Sequence, residues 1–250
     1  MTIANDLVRK AESIITYISN QGLISQPTVP EDILPVIQGV HQLFPQWVTV
    51  ICPFHHPNWY YVSENAERIF GYNSDFMTKQ MSPRKFFDQI HEADIEDLYH
   101  CLSYVDEFLK NATPNEYHKF RFVFQYRFLR KDGRYVWLHD EKAAYQTENK
   151  SLLYYSLYRD LTEETVFNGV NLDIYKLETE LKKIDSHKPS AIRKLSMRES
   201  QLIGLIQKGL TTKEIAHQLS ISHNTVRNLR SRMFEKFKVN NVIELLNMAG

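Results

Sequence analysis

Between positions 224 and 232 the chain sets Arg227, Arg230 and Arg232 among Asn224, Thr225, Asn228 and Ser231. An arginine guanidinium can donate two parallel hydrogen bonds to a guanine edge, and an asparagine amide can pair with adenine. The same stretch is helical by pattern, because Val226, Leu229, Met233 and Phe237 recur three and four apart on one side. A helix with a narrow apolar seam and a cationic, donor-rich opposite face is what docking into a major groove requires. Any one of these polar residues could simply be solvated; the signal lies in the face as a whole.

Such a helix needs a scaffold. Ser196-Met197-Arg198-Glu199 and Thr211-Thr212-Lys213-Glu214 have the form of capping boxes, and Asn241 with Glu244 repeats the logic. Gly209 stands where a first helix should stop. Leu219-Ser220-Ile221-Ser222 is a tight turn with an apolar anchor and a serine cap, which opens a helix predicted over 223–237. Segment 191–250 therefore reads as four short helices. It carries ten Lys/Arg against four Asp/Glu, a local charge of +6 in a chain whose formal net charge is zero. A neutral whole with a basic end suits a tethered nucleic-acid-binding domain, although a solvated basic face has the same signature.

The stretch 195–249 resembles the LuxR-type helix-turn-helix domain. The resemblance is carried by Leu195-Ser196-x-Arg198-Glu199, Gly209-Leu210-Thr211-x-Lys213-Glu214-Ile215-Ala216, Leu219, Ile221-Ser222, Thr225-Val226-Arg227-Asn228, Lys236 and Val239. It implies that the third helix enters the major groove of double-stranded DNA. Arg227, Asn228 and Ser231 would then face bases, while Thr225, Arg230, Arg232 and Lys213 would meet phosphates and set register. It also implies that the fourth helix, 242–248, pairs with its twin in a homodimer through Val242, Leu245 and Leu246. Two positions depart from the pattern. Leu229 stands where histidine is common, and Phe237-Lys238 replaces Leu-Gly, which puts the end of the third helix in doubt because lysine tolerates a left-handed backbone poorly.

The centre of the chain has a different period. Over 118–130 the even positions Phe120, Phe122, Phe124, Tyr126 and Phe128 are all aromatic. That alternation predicts a half-buried antiparallel strand. Asp132-Gly133 predicts a hairpin, with further strands over 134–145 and 151–161, and two short strands over 47–53 and 58–63. Helices are expected over 64–70 and 91–110, the latter with the stripe Ile95, Leu98, Leu102, Val105 and Leu109. The segment resembles a PAS domain. Its carrying motifs are 61–72, His91-Glu92-Ala93-Asp94, 126–137 and Arg159-Asp160-Leu161-Thr162-Glu163-Glu164. The fold class implied is an α+β PAS domain, with a five-stranded antiparallel sheet and helices, followed by an all-α four-helix helix-turn-helix domain and joined to it by a linker helix. A PAS fold implies sensing, with a small-molecule ligand between sheet and helices or a partner protein. The aromatic face of the first long strand would line such a cavity or would simply be core.

No cofactor is evident. Cys52 and Cys101 lack the sequence context of a flavin-reactive cysteine, and no Cys/His cluster has zinc spacing. Both thiols read as buried and structural. His100 sits where some haem-binding PAS domains carry an axial ligand, but a lone helix histidine is ordinarily structural or exposed. His91 reads as a helix cap.

Residues 1–46 form an N-terminal helical extension, with an amphipathic helix over 4–20 (Ile3, Leu7, Ala11, Ile14, Ile18), a turn at 26–30 and a second helix over 31–44. The sensory domain is assigned to 47–165, a helical linker and hinge to 166–190, and the DNA-binding domain to 191–250. In the linker, Val170, Ile174, Leu177, Leu181 and Ile184 step by four and three. That spacing predicts a short dimerising seam through Ile174, Leu177 and Leu181, or an ordinary surface helix. There is no signal-peptide pattern and no apolar run of bilayer length, so a cytoplasmic protein without membrane association is expected. No P-loop, G-x-S-x-G, H-E-x-x-H or dinucleotide loop is present, which argues against an enzyme. The function expected is a sequence-specific DNA-binding transcriptional regulator. The alternative is a PAS-based protein-interaction adaptor whose C-terminal domain mainly dimerises.

Overall fold

The computed structural model describes residues 3–18, 20, 33–51, 59–146, 152–164, 167–189, 196–237 and 239–249. The chain divides into two units, one comprising 1–164 with 170–187 and the other 165–169 with 188–250.

In the first unit the aromatic alternation becomes β3 (Phe120–Leu129), with Phe120, Phe122, Phe124, Tyr126 and Phe128 all buried. The Asp132-Gly133 turn returns the chain as β4 (Tyr135–Gln146), and Gly133 takes the left-handed φ of 83° that the reversal needs. β5 (Leu152–Asp160) pairs with β4, β1 (Val48–Ile51) pairs with β5, and β2 (Tyr61–Val62) pairs with β1. Every pairing is antiparallel. Between β2 and β3 run α3 (Ala66–Phe70), α4 (Ser74–Gln80), α5 (Pro83–Phe87) and the long α6 (Glu92–Asn111). His91 is indeed the cap of α6, its Nδ1 accepting from the Ala93 N–H at 3.1 Å. Two N-terminal helices, α1 (Ile3–Ile18) and α2 (Ile33–Leu43), precede the sheet. α1 buries Leu7, Ile14 and Ile18 and packs on α5 and α6.

The linker corrects the sequence reading. The described part of this segment, 167–189, does not form the expected linker helix. It supplies β6 (Asn171–Leu177) and β7 (Leu181–His187), an antiparallel hairpin that extends the sheet to seven strands in the order β2-β1-β5-β4-β3-β6-β7. Two physical reasons account for this. A spacing of four is even, so Val170 and Ile174 satisfy a strand's period as well as a helix's, and Leu172 between them completes the strand pattern. The long aromatic β3 would also otherwise leave its second edge unpaired, and β6 covers it with Phe122 opposite Ile174. Ile174 is therefore buried inside the sheet and belongs to no seam. Leu177 and Leu181 face each other at the exposed tip of the hairpin.

The second unit holds α7 (Met197–Gln207), α8 (Thr212–Gln218), α9 (His223–Phe237) and α10 (Val242–Ala249). Both capping boxes form as expected, Ser196 with Glu199 and Thr211 with Glu214. Asn241 Oδ1 accepts from the Glu244 N–H at 2.9 Å. α7 closes in a Schellman motif, in which Gly209 N–H donates to Ile206 O and Leu210 N–H to Leu205 O, with Gly209 at φ 75°. α8 closes the same way through Ser220 N–H to His217 O and Ile221 N–H to Ala216 O, with Ser220 at φ 53°. The turn between the two helices is thus a left-handed cap. Gly209→Ala forces a Cβ into that backbone and should destabilise this unit by about 1 kcal/mol, read as a shift in its unfolding midpoint. A change below a few tenths of that would show the cap to be dispensable. Leu202, Ile215, Val226, Met233 and Leu245 meet at the centre. No helix among the described residues is long and apolar enough to cross a membrane.

Candidate nucleic-acid interface and sensory cavity

Ser222 precedes helix α9, and its Oγ accepts from the Thr225 N–H at 3.0 Å, with the two hydroxyls 2.7 Å apart. Val226, Met233 and Phe237 are buried and fix the rotation of the helix. At about 100° per residue, Asn224, Asn228 and Ser231 fall opposite that seam, and Arg227 lies on its flank, about 100° round from it. Thr225, Arg227, Asn228, Ser231 and Arg232 are all exposed. Lys213, in the first turn of α8, is exposed as well. Arg230 differs: it is half-buried, and its Nη1 donates to Thr212 Oγ1 at 3.2 Å, which ties α9 to the start of α8.

Lys236 is likewise structural, donating to Glu199 Oε2 at 2.7 Å and so joining the C-terminal part of α9 to the cap of α7. Burial opposes ionisation of Glu199, but the bonds from Lys236 and Ser196 outweigh it and hold the carboxyl below its ordinary value. Lys238 lies outside the described residues; past it, Val239 N–H donates to Phe234 O, which closes the helix.

On α10, Leu245 is buried in its own unit's core and cannot reach a twin, so that part of the expected pairing face is corrected. Val242 and Leu246 are half-buried, and Ile243, which the sequence reading did not single out, is apolar and exposed on this helix.

The first unit holds a half-open cavity of about 650 Å³ between the sheet and the helices. The aromatic face of β3 supplies Phe120, Phe122, Phe124 and Tyr126 to its lining, so these residues are at once core and cavity wall. A polar group sits in this lining that the sequence reading missed. Lys142 Nζ lies 3.0 Å from Asp140 Oδ2 and 3.3 Å from Ser156 Oγ, and the Tyr126 hydroxyl donates to Asp140 at 2.8 Å. Burial, then the Asp140 and Tyr158 neighbours, push the Tyr126 phenol well above its ordinary value and keep it a neutral donor. The available signal was a charge pair at the inward positions 140 and 142 of a strand that otherwise alternates Leu138 and Ala144 inward.

His100 is exposed and does not line the cavity. Cys101 is fully buried on α6, where burial and then Asp97 push its thiol up and leave it inert. Cys52 and the turn at 26–30 lie outside the described residues. Among the described residues no three His, Cys, Asp or Glu converge as a metal site.

Residues 193–249 match the family described as bacterial regulatory proteins, luxR family, and residues 60–157 match the PAS fold family. The uncharacterized response regulatory protein YgeK of Escherichia coli (strain K12) is 35% identical over 85 residues, covering 34% of this chain and 52% of that one. The transcriptional regulatory protein DesR of Bacillus subtilis (strain 168) is 46% identical over 52 residues, covering 21% of this chain and 26% of that one. The chain thus spans about half of the first relative's length and about a quarter of the second's. Among solved structures, the Vibrio cholera VqmA–ligand–DNA complex aligns at 13% identity over 90% of this chain and 88% of that one, with a TM-score of 0.32. In one chain, residues 60–157 are a PAS fold domain and residues 193–249 are a LuxR-family helix-turn-helix domain.

Proposed function

We propose that this chain is a sequence-specific DNA-binding transcriptional regulator. In this reading its PAS domain senses a small molecule and controls a helix-turn-helix domain that binds double-stranded DNA as a homodimer, in the cytoplasm. The observation that carries the reading is the exposed face of α9, where Asn228 and Ser231 project opposite the buried Val226, Met233 and Phe237, with the exposed Arg227 on the flank of that face. Arg227, Asn228 and Ser231 take the base-facing role. Thr225, Arg232 and Lys213 take phosphates, and Arg230 divides its donors between Thr212 and a phosphate. In the dimer, α10 pairs through Val242 and Leu246, with Ile243 beside them.

A salt titration of duplex binding by the full chain tests this. With Lys213, Arg230 and Arg232 from each of two copies, about six phosphates are neutralised, so affinity should fall roughly a thousandfold between about 50 and 200 mM salt. Absence of duplex binding at the lowest salt would sink the reading and return the chain to the adaptor alternative.

A further inference from the structure

The register of three neighbouring strands sets the chemistry of the cavity. β4 lines the cavity from Asp140 to Ala144, and on its inward face it presents Asp140, Lys142 and Ala144 there. Lys142 lies between Phe122 on β3 and Ser156 on β5, and Asp140 lies between Phe124 and Tyr158. Ala144 lies beside Tyr154. Small and polar groups therefore run down the middle strand, with rings on the β3 side and Tyr158 and Tyr154 on the β5 side above and below Ser156, which makes a trough that a flat ring system can enter.

The polar floor of this trough is neutral overall. The Asp140 side chain is only 3% exposed, whereas that of Lys142 is 38% exposed. The ammonium is thus the group that the cavity can reach. Its charge is already met by Asp140, and it sits 6.0 Å from the Phe124 ring centroid and 5.8 Å from that of Tyr158. An anion would have to share this ammonium with a carboxylate 3.0 Å from it, and a cation would meet the ammonium itself. A neutral hydrogen-bond acceptor suffers neither penalty. The other charged residues of the lining, Arg9, Glu12 and Arg84, are exposed on α1 and α5.

The opposite wall is aliphatic and comes from α1, through Val8, Ile14, Ile15 and Ile18. This helix lies outside the segment matched to the PAS fold family. It is held by Lys10 Nζ, 2.5 Å from Asp106 on α6, and by Arg84 Nη2, 2.7 Å from Asn5. The volume suits a molecule of drug-like size rather than a single small ring.

We propose that this cavity binds an uncharged, ring-bearing molecule that presents one hydrogen-bond acceptor, a carbonyl oxygen or a ring nitrogen, to Lys142, with α1 as its fourth wall. The inference rests on the sensory reading of the PAS domain and names the ligand class for it.

Two dyes of comparable size test it on the full chain. Nile red is uncharged and carries a ring carbonyl; anilinonaphthalene sulfonate is an anion. Nile red should saturate at one per chain with blue-shifted emission, and should bind at least about tenfold more tightly than the sulfonate. Asp140→Asn keeps a partner for Tyr126 and leaves the ammonium uncompensated, so the preference should move toward the anion by about tenfold or more. Ile15→Trp fills the trough from the α1 side and should abolish the single-site binding while circular dichroism stays unchanged. If D140N does not fold, the pair D140N with Lys142→Gln, neutral at both positions, should retain the preference for the uncharged dye.

A tighter sulfonate complex in the unaltered chain would overturn the proposal, as would Nile red binding that survives Ile15→Trp. Failure of both dyes with duplex binding retained would overturn the ligand class and leave the DNA-binding reading standing. Loss of duplex binding by the unaltered chain would remove the regulator reading whatever the dyes do.

Discussion

Asp94→Ala should destabilise the sensory unit by about 3–5 kcal/mol, a large share of the roughly 5–15 kcal/mol that holds a domain together. Asp94 lies in the first turn of α6, with its side chain 3% exposed, and faces Arg127 on β3, 8% exposed. Its Oδ2 accepts from the Arg127 backbone N–H at 2.9 Å and from Nε at 3.0 Å, and its Oδ1 accepts from Nη2 at 2.5 Å. One carboxylate therefore satisfies a strand amide and a guanidinium and joins the long helix to the sheet. Removing it takes from a buried cation the carboxylate bonded to it, and the desolvation of that charge, more than the lost bonds, sets the size of the effect. Urea unfolding should show a lower midpoint with an unchanged slope. Replacing both partners, Asp94→Leu with Arg127→Met, should recover most of the loss. A single-variant cost under about 1 kcal/mol would show that the pair is not what couples α6 to β3.

The second large effect concerns DNA. Arg227→Ala should lower specific binding by about 1–3 kcal/mol per contact, and a two-fold site carries the change twice. The loss should be confined to sequences bearing the preferred base, so that preference at that position relaxes. Arg232→Ala should behave differently, weakening all duplexes alike and lowering the salt slope by about one per contact. Competition binding against a panel of single-base operator variants separates the two patterns. A uniform loss for Arg227→Ala would move this residue from base reading to phosphate contact. Arg230→Ala should lose both affinity and some fold stability, because its donor also holds Thr212.

The helix-turn-helix was legible down to its caps because its information is local. A capping box spans four residues, and Ser196, Thr211 and Asn241 each have their glutamate three positions on. The aromatic alternation of β3 was legible for the same reason. What escaped was non-local. Asp94 and Arg127 were each visible inside separate motifs, but nothing in a one-dimensional pattern joins residues 33 positions apart. Asp140, Lys142 and Ser156 converge only after the register of β4 and β5 is known. The linker failed for another reason: the apolar spacing at 170 and 174 was compatible with both periods, and the decision lay with the unpaired edge of β3. Leu245 shows the same limit at a finer scale, since a two-sided apolar helix such as α10 does not announce which side its own core will claim.

The β6–β7 hairpin also constrains how a message can leave the sensory unit. Phe122 lines the cavity, and its backbone is paired to Ile174 on β6, which pairs in turn with β7, the strand that leads toward the C-terminal unit. Two ladders, β3–β6 and β6–β7, thus separate the cavity from the exit strand. Two coiled helices can rotate by small angles, but side chains in a ladder keep their faces only if registry slips by two residues, about 6.6 Å. Sliding there is all or nothing, so graded occupancy of the cavity must travel as stiffness, through how often the ladder opens. Amide exchange along β6, measured with the cavity filled and empty, would register that as a change in protection without a change in mean position.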